Sequence, residues 1–269
     1  MRKALLFALL LTFSVVAPVA AAPPTNDTVA GATVVNVGSE IVQDTTEAAE
    51  SDPFETSLNE LCGAPVVAHG VWFTITVPTT QLVGFEVVGS SYTVGGMLFA
   101  GAPTPESLLD CGPDVLLGEL VGGQEYHFLA FGDGFSEETS GTLRLVVREG
   151  VPAPAIDFAV DRFANVDRSG VVHLTGTVTC TSTNGTGFVG EVFGELTQRV
   201  GRFLVRGLFQ NAGLSIPCDG TSQPWEAWAV GETGIFAGGK AATLALAIGC
   251  TDLCDSGYTE ATIQLRKGR

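Results

Sequence analysis

Apolar and polar residues alternate with a period of two in many short runs of this chain, and this alternation restricts the fold to one built from strands. In residues 142–147, leucine or valine occupies every second position, at Leu143, Leu145 and Val147. Successive side chains of a strand point to opposite faces, so such a run buries one face and leaves the other to solvent. No stretch of ten or more residues has a clear helical period. We therefore predict an all-β fold.

Thirteen short runs, some alternating and some apolar or β-branched throughout, predict strands, six before residue 150 and seven after it. The first six are residues 32–37, 70–78, 82–88, 96–100, 125–131 and 141–148. The last seven are residues 156–163, 171–179, 187–198, 202–210, 225–230, 240–249 and 258–265. Residues 240–249 are mostly Ala and Leu and are also compatible with a helix, but the flanking glycines favour a strand. Short strands at this spacing predict two tandem β-sandwiches, the second of them immunoglobulin-like.

A domain boundary is predicted at the sequence Gly-Val-Pro-Ala-Pro, residues 150–154, because alternating prolines make a stiff, extended spacer. The charge balance also changes there. Residues 22–150 hold 18 acidic and two basic residues, whereas residues 151–269 hold 11 acidic and nine basic ones. A field of this sign repels phosphate groups, so we expect no nucleic-acid partner and no attraction to anionic lipid.

The first 21 residues have the layout of a secretory signal peptide. Arg2 and Lys3 precede an apolar run, residues 4–16, and small residues follow at 19–22. The run is shorter than the roughly 20 residues that a membrane span needs. We predict cleavage after Ala21, export of the protein, and no membrane span in the mature chain.

Six cysteines in an exported chain predict disulfides rather than free thiols or a zinc site. Pairing of nearest neighbours within each domain gives Cys62–Cys111, Cys180–Cys218 and Cys250–Cys254. The first pair is the best determined, because residues 22–150 hold no other cysteine. The pairing of the four cysteines in the second domain stays open.

Residues 25–148 resemble the bacterial pre-peptidase C-terminal domain. The residues that carry the resemblance are Thr25-Asn26-Asp27, Ala30, residues 44–48, Cys62, Val71-Trp72-Phe73, residues 89–92, Met97-Leu98-Phe99, Gly101 and Leu108-Leu109-Asp110-Cys111. The resemblance implies a jelly-roll-like sandwich of the kind that accompanies secreted bacterial enzymes.

Residues 151–269 are similar to the bacterial domain-of-unknown-function family 6299. The shared residues are 176–180, Gln198, Gly201-Arg202, Cys218-Asp219-Gly220, a tryptophan at 225 or 228, Phe236 and Gly238. This similarity implies a secreted bacterial domain and brings no activity with it.

No motif for catalysis is present, and we predict no catalytic residue and no enzymatic activity. The three histidines are His69, His127 and His173, and the last two lie within predicted strands. We interpret them as half-exposed strand residues rather than as general bases. A small hydrolase with an unrecognised site remains the third interpretation of the chain.

Calcium is the one cofactor for which the sequence offers candidate ligands, because hard cations prefer oxygen ligands from loops. The candidates, all at the ends of predicted strands, are Asn26, Asp27, Asp110, Asp114 and Asp133. Some pre-peptidase domains bind calcium through acidic loops, which is what the resemblance adds. Solvated acidic turns are the alternative interpretation.

The tryptophans predict one exposed aromatic side chain in the second domain. Trp225 and Trp228 are three residues apart, so on one strand they face opposite sides, one towards the core and one towards solvent. Trp72 lies in an apolar strand and is predicted to be core. We expect a secreted, non-catalytic binding or accessory protein that contacts polysaccharide, cell envelope or another secreted protein. A cation-dependent structural envelope protein is the alternative.

Overall fold

The computed structural model describes residues 22–50, 53–59 and 61–268, and it confirms the all-β class. The predicted signal peptide, residues 1–21, lies outside the described residues. No helix in the described residues is long and apolar enough to cross a membrane. The sheets divide the chain into an N-terminal unit with strands up to Glu149 and a C-terminal unit with strands from Ala155.

The described residues of the N-terminal unit form nine strands and one short α-helix. The strands are β1 (Thr33–Val34), β2 (Glu40–Asp44), β3 (Ala68–Thr76), β4 (Gln81–Glu86), β5 (Val94–Ala100), β6 (Leu108–Pro113), β7 (Val115–Leu120), β8 (Glu125–Gly132) and β9 (Thr142–Glu149). Helix α1 spans Pro53–Thr56, and 3-10 turns span Val29–Gly31 and Pro105–Ser107. The strands form a five-stranded sheet of order β1-β3-β8-β5-β6 and a four-stranded sheet of order β2-β9-β4-β7.

The five-stranded sheet is buried on both faces. On the face towards the other sheet, Phe128 stacks on Phe85 with ring centroids 4.7 Å apart. On the opposite face, Trp72 packs against Phe99 and donates a hydrogen bond from Nε1 to Glu55 Oε1, at 2.7 Å. Trp72 is therefore core, as predicted. A sheet covered on both sides explains why β3 and β8 are apolar almost throughout rather than alternating.

Three strands of this unit, β2, β6 and β7, escape the sequence prediction, and all three are edge strands. Edge strands have few buried positions and tolerate residues that a central strand excludes. Strand β6 ends in Gly112-Pro113, and β7 contains Gly118. Their hydrophobic pattern is therefore too weak to be recognised.

The C-terminal unit contains eight strands in one sheet that closes on itself. The strands are β10 (Ala155–Val160), β11 (Phe163–Val166), β12 (Val172–Thr181), β13 (Phe188–Val200), β14 (Phe203–Pro217), β15 (Asp219–Gly231), β16 (Gly239–Cys250) and β17 (Cys254–Lys267). Their order is β10-β12-β11-β17-β16-β13-β14-β15, and a further pairing of β12 with β15 completes the ring. An immunoglobulin-like sandwich would instead divide these strands between two separate sheets. Residues 240–249 lie within β16 and are strand, as predicted.

The side chains that point into the closed sheet form its core. Small and large residues alternate there: Ala227, Ala245 and Ala247 lie among Leu174, Trp225 and others. Trp225 stacks on Phe158 with ring centroids 5.2 Å apart, and its Nε1 donates to the carbonyl of Ala159 at 3.0 Å. The indole is thus buried with its one polar group satisfied.

The nearest-neighbour pairing of the cysteines is confirmed. Cys62–Cys111 ties the segment that covers the five-stranded sheet to β6, and Cys180–Cys218 ties β12 to the residue just before β15. Cys250–Cys254 closes the turn between β16 and β17. Disulfides of this kind are typical of proteins that fold outside the cytoplasm.

That last disulfide presents Asp252 to the linker between the units. Asp252 accepts hydrogen bonds from Arg148 of β9, with Nη1–Oδ2 and Nη2–Oδ1 distances of 2.6 and 3.0 Å. The backbone N–H of Val151 also donates to Oδ2, at 2.8 Å. These hydrogen bonds hold the pKa of the Asp252 carboxyl below its usual value, with Arg148 as the main cause. A bidentate ion pair therefore fixes the last strand of one unit to a turn of the other.

We expect Asp252→Asn to lower the free energy of unfolding by about 1–2 kcal/mol, because Asn keeps the shape but loses the charge. A carboxyl with a lowered folded-state pKa stabilises the fold above its unfolded pKa, and this contribution disappears as the pH falls through the lowered value. Chemical unfolding at neutral pH should therefore give a lower free energy of unfolding for the variant than for wild type. This difference in free energy should shrink below about pH 4. Asp255→Asn, an exposed neighbour, is the control and should change little. A difference in the free energy of unfolding that does not depend on pH would contradict a stabilising role for the ion pair.

Candidate binding surface

The outward side chains of four neighbouring strands, β15, β14, β13 and β16, form a continuous apolar surface. Pairing brings Leu208 beside Val230, and Phe193 beside Leu246. Along β14, β15 and β16, these outward positions alternate with buried ones, so the strands have apolar residues on both their inward and outward faces. Contiguous exposed apolar surface in a single chain marks a site of interaction. We call the outward face of these four strands the outer face.

Trp228 is the largest exposed side chain on the outer face. It is 50% exposed, whereas Trp225 on the same strand is 3% exposed. The predicted division of the two tryptophans between solvent and core is thus confirmed. The Trp228 ring stacks on the His173 ring with centroids 5.0 Å apart and an angle of 13° between planes. His173 in turn places Nε2 2.8 Å from Glu226 Oε2, which orients the imidazole.

The outer face contains a groove with a volume of about 700 Å³. The outward apolar side chains that line it come from all four strands, and they are Phe193, Leu208, Trp228, Leu244, Leu246 and Ile248; the buried Phe209 also borders it. Glu191, Glu195 and Gln210 also line it. The groove is thus an apolar trough with two carboxylates inside it.

Glycine at position 194 makes this arrangement possible. A Cβ at Gly194 would overlap the Phe209 ring and the backbone of β16. Without it, β13 lies close against β16, and the outward side chains on either side, Phe193 and Glu195, sit beside Leu246 and Leu244. Glycine therefore fits at this position because it leaves room for the Phe209 ring and for the backbone of β16 beneath the groove.

The negative charges of Glu191 and Glu195 on the outer face are only weakly balanced by neighbouring side chains. Gln210 donates a hydrogen bond from Nε2 to Glu191 Oε1. Glu195 lies 3.9 Å from Arg206 Nε, at the limit of an ion pair, and both side chains are well exposed. Solvent supplies most of the stabilisation of these charges, because exposed pairs at such distances contribute little.

The structure disperses the calcium candidates rather than collecting them. Asn26 is buried, accepts a hydrogen bond from Gln43 Nε2 at 2.6 Å, and donates to the carbonyl of Trp72. Asp27 accepts from the backbone N–H of Ala49 at 2.7 Å. These two side chains therefore brace the N-terminal segment against its neighbours.

The remaining candidates shape their own turns. Asp110 accepts hydrogen bonds from the N–H groups of Cys111 and Leu117, and Asp133 accepts from Phe135. Asp114 has a positive φ of 64° in the turn between β6 and β7. Within the described ranges, no three His, Cys, Asp or Glu side chains lie close enough to hold a metal ion. Calcium binding stays a prediction from sequence.

Each histidine has a local hydrogen-bonding role. His69 Nδ1 lies 2.8 Å from the carbonyl oxygen of Ala48, and His127 Nδ1 lies 2.9 Å from that of Gly101. His127 is buried rather than half-exposed, because β8 belongs to the sheet that is covered on both faces. His173 is half-exposed, as predicted.

Comparisons with known proteins find no matching family model and no matching curated protein. Solved structures give distant likenesses only. A GH2 beta-galacturonidase from Eisenbergiella tayi is 8% identical, with a TM-score of 0.22, over 72% of this chain and 35% of that one. Beta-glucuronidase from Bacteroides uniformis is 9% identical, with a TM-score of 0.21, over 72% of this chain and 26% of that one.

A third likeness is to the adhesive subunit of CFA/I fimbria of enterotoxigenic Escherichia coli. It is 9% identical with a TM-score of 0.17, over 88% of this chain and 97% of that one. Of the two Eisenbergiella and Bacteroides enzymes, by contrast, this chain spans only about a third and about a quarter of the length, respectively. Scores this low assign no relationship.

We expect Trp228 to be the tryptophan that a neutral quencher reaches. Acrylamide should quench a component of the fluorescence that Trp228→Phe removes, while the stability of that variant stays within about 0.5 kcal/mol of wild type. Trp225→Ala is the matched comparison and should cost about 3–5 kcal/mol, because it leaves a cavity in the core. Equal quenching of wild type and Trp228→Phe would show that the outer face is covered in solution.

Proposed function

We propose that this chain is a secreted, non-catalytic binding protein that holds an extracellular partner on the outer face of its C-terminal unit. The single observation that carries the proposal is the groove, which keeps six apolar side chains on the solvent side of a sheet whose core is already filled. Leaving apolar surface in water costs free energy, so a partner that covers it gains affinity.

The rest of the molecule supports a holding role. One disulfide stabilises the N-terminal unit, two stabilise the C-terminal unit, and the Arg148–Asp252 ion pair joins the units to each other. Disulfides of this kind persist in an oxidising, extracellular environment. The resemblance of residues 25–148 to pre-peptidase C-terminal domains, which accompany secreted enzymes, agrees with an accessory role. The histidines, each occupied by a local contact, give no support to a hydrolase.

A polysaccharide is a second candidate partner, and the exposure of Trp228 is the observation that favours it. An exposed indole can stack on a sugar ring, and Glu226 and Gln210 nearby offer acceptors to hydroxyl groups. Cell-envelope material would present both sugars and peptides to the same surface.

We expect the immobilised protein to retain material from culture filtrate or envelope fractions of its source in a manner that depends on the outer face. The test variant is Trp228→Ala with Leu246→Ser, and the control is Val42→Ala with Phe135→Ala, which removes exposed apolar groups of the N-terminal unit. Wild type and control should retain the same component, and the test variant should lose most of it, since central apolar anchors dominate binding. Equal retention by all three proteins, or retention by none, would contradict the proposal.

A further inference from the structure

The groove cannot be covered without also covering two carboxylates. On β13, Glu191 and Glu195 point outward on either side of Phe193. Pairing with β16 sets Ile248 beside Glu191 and Leu244 beside Glu195. A partner that reaches the apolar floor therefore removes water from both charges. Desolvated charges oppose binding unless the partner supplies opposite charges in good geometry.

More negative charge surrounds the groove. Glu226 lies on β15 beside Trp228, and Glu260 on β17 pairs with Leu244. Arg206 is the basic side chain nearest to Glu195, and His173 is the partner of Glu226. Residues 151–269 hold 11 acidic and nine basic residues, so most of the net charge of −16 lies in the N-terminal unit, and the field at the groove comes from these four carboxylates. This field attracts cations and repels a second copy of the same face, as well as anionic polymers and anionic lipid.

The floor of the groove favours a peptide over a sugar chain. Of the six outward apolar side chains that line the groove, Phe193 and Trp228 are aromatic, whereas Leu208, Leu244, Leu246 and Ile248 are aliphatic and offer no flat ring for stacking. They fit other branched apolar side chains instead. The groove as a whole crosses four strands, which is about 14 Å at the usual spacing between strands. That distance corresponds to between two and three turns of an α-helix, enough for anchors at positions i, i+3 or i+4, and i+7.

We infer that the groove binds a cationic amphipathic segment of another protein, whose apolar side chains fill the floor and whose Lys or Arg side chains pair with Glu191 and Glu195. This inference rests on the proposed function, because it names the partner of the same surface. The apolar contacts supply affinity, and the ion pairs select against neutral and acidic partners.

The test is a fluorescence titration in which Trp228 is the reporter. The main probe is a synthetic amphipathic helix of Leu and Lys, about 18 residues long, with Leu along one face. Three further probes are a Leu/Glu peptide of the same pattern, a Leu/Lys peptide of scrambled order, and a neutral cello-oligosaccharide. The scrambled peptide has the same charge but no apolar face, so it measures attraction by charge alone.

We expect the patterned Leu/Lys peptide to shift the Trp228 emission to shorter wavelength and to bind at least about tenfold more tightly than the scrambled one. Glu191→Gln with Glu195→Gln should weaken this binding about tenfold and reduce its salt dependence. Glu137→Gln with Glu138→Gln removes two exposed charges from the N-terminal unit and should leave the binding unchanged. All four substituted side chains point to solvent, so thermal unfolding should confirm that each variant is folded.

The remaining outcomes separate this inference from the proposed function. If the Leu/Glu peptide or the oligosaccharide binds at Trp228 and the Leu/Lys peptide does not, the outer face is a binding surface but the inferred partner is wrong. If both double variants weaken binding equally, or the scrambled peptide binds as well as the patterned one, the attraction is non-specific and the inference is overturned. If no probe moves the Trp228 emission while the retention experiment succeeds, the inference alone fails.

Discussion

Closure of the C-terminal sheet is the constraint on which the surface of this protein depends. Pairing of β12 with β15 closes the sheet into a ring, so its strands have one inward and one outward face. Inward side chains such as Trp225 and Ala245 already fill the interior. Apolar residues at outward positions, among them Leu208 and Trp228, therefore add nothing to that core and stay in contact with solvent. Their presence on the surface needs a reason outside the folded chain.

Apolar runs have a different meaning in the two units. In the N-terminal unit, β3 and β8 are apolar on both faces because a second sheet covers one side and the segment around α1 covers the other. In the C-terminal unit, the sequence of β16 is almost as apolar as that of β3. Its outward residues Leu244 and Leu246, however, are not covered by a second sheet or segment in the described part of the chain. The same composition thus builds a core in one unit and a surface in the other.

Much of the fold follows from the sequence, and what does not follow depends on long-range contacts. Alternating and continuously apolar runs locate the central strands, and the spacing of Trp225 and Trp228 predicts that the two side chains face opposite sides of one strand. The sequence does not reveal the edge strands β2, β6 and β7, because a weakly buried strand has a weak pattern. Nor does it reveal closure, which depends on the register of β12 against β15. The groove is equally hidden, since Phe193, Leu208 and Leu246 meet only when β13, β14 and β16 are side by side.

The central claim is that the outer face of the closed sheet is the surface that a partner covers. Amide and indole chemical-shift mapping by NMR, with the patterned Leu/Lys peptide added to the isotope-labelled protein, tests this most directly. The predicted result is a set of changes centred on Phe193, Leu208 and Leu246 and on the indole N–H of Trp228, with the N-terminal unit unaffected. Changes spread over the acidic loops of the N-terminal unit, with none on β13–β16, would contradict it.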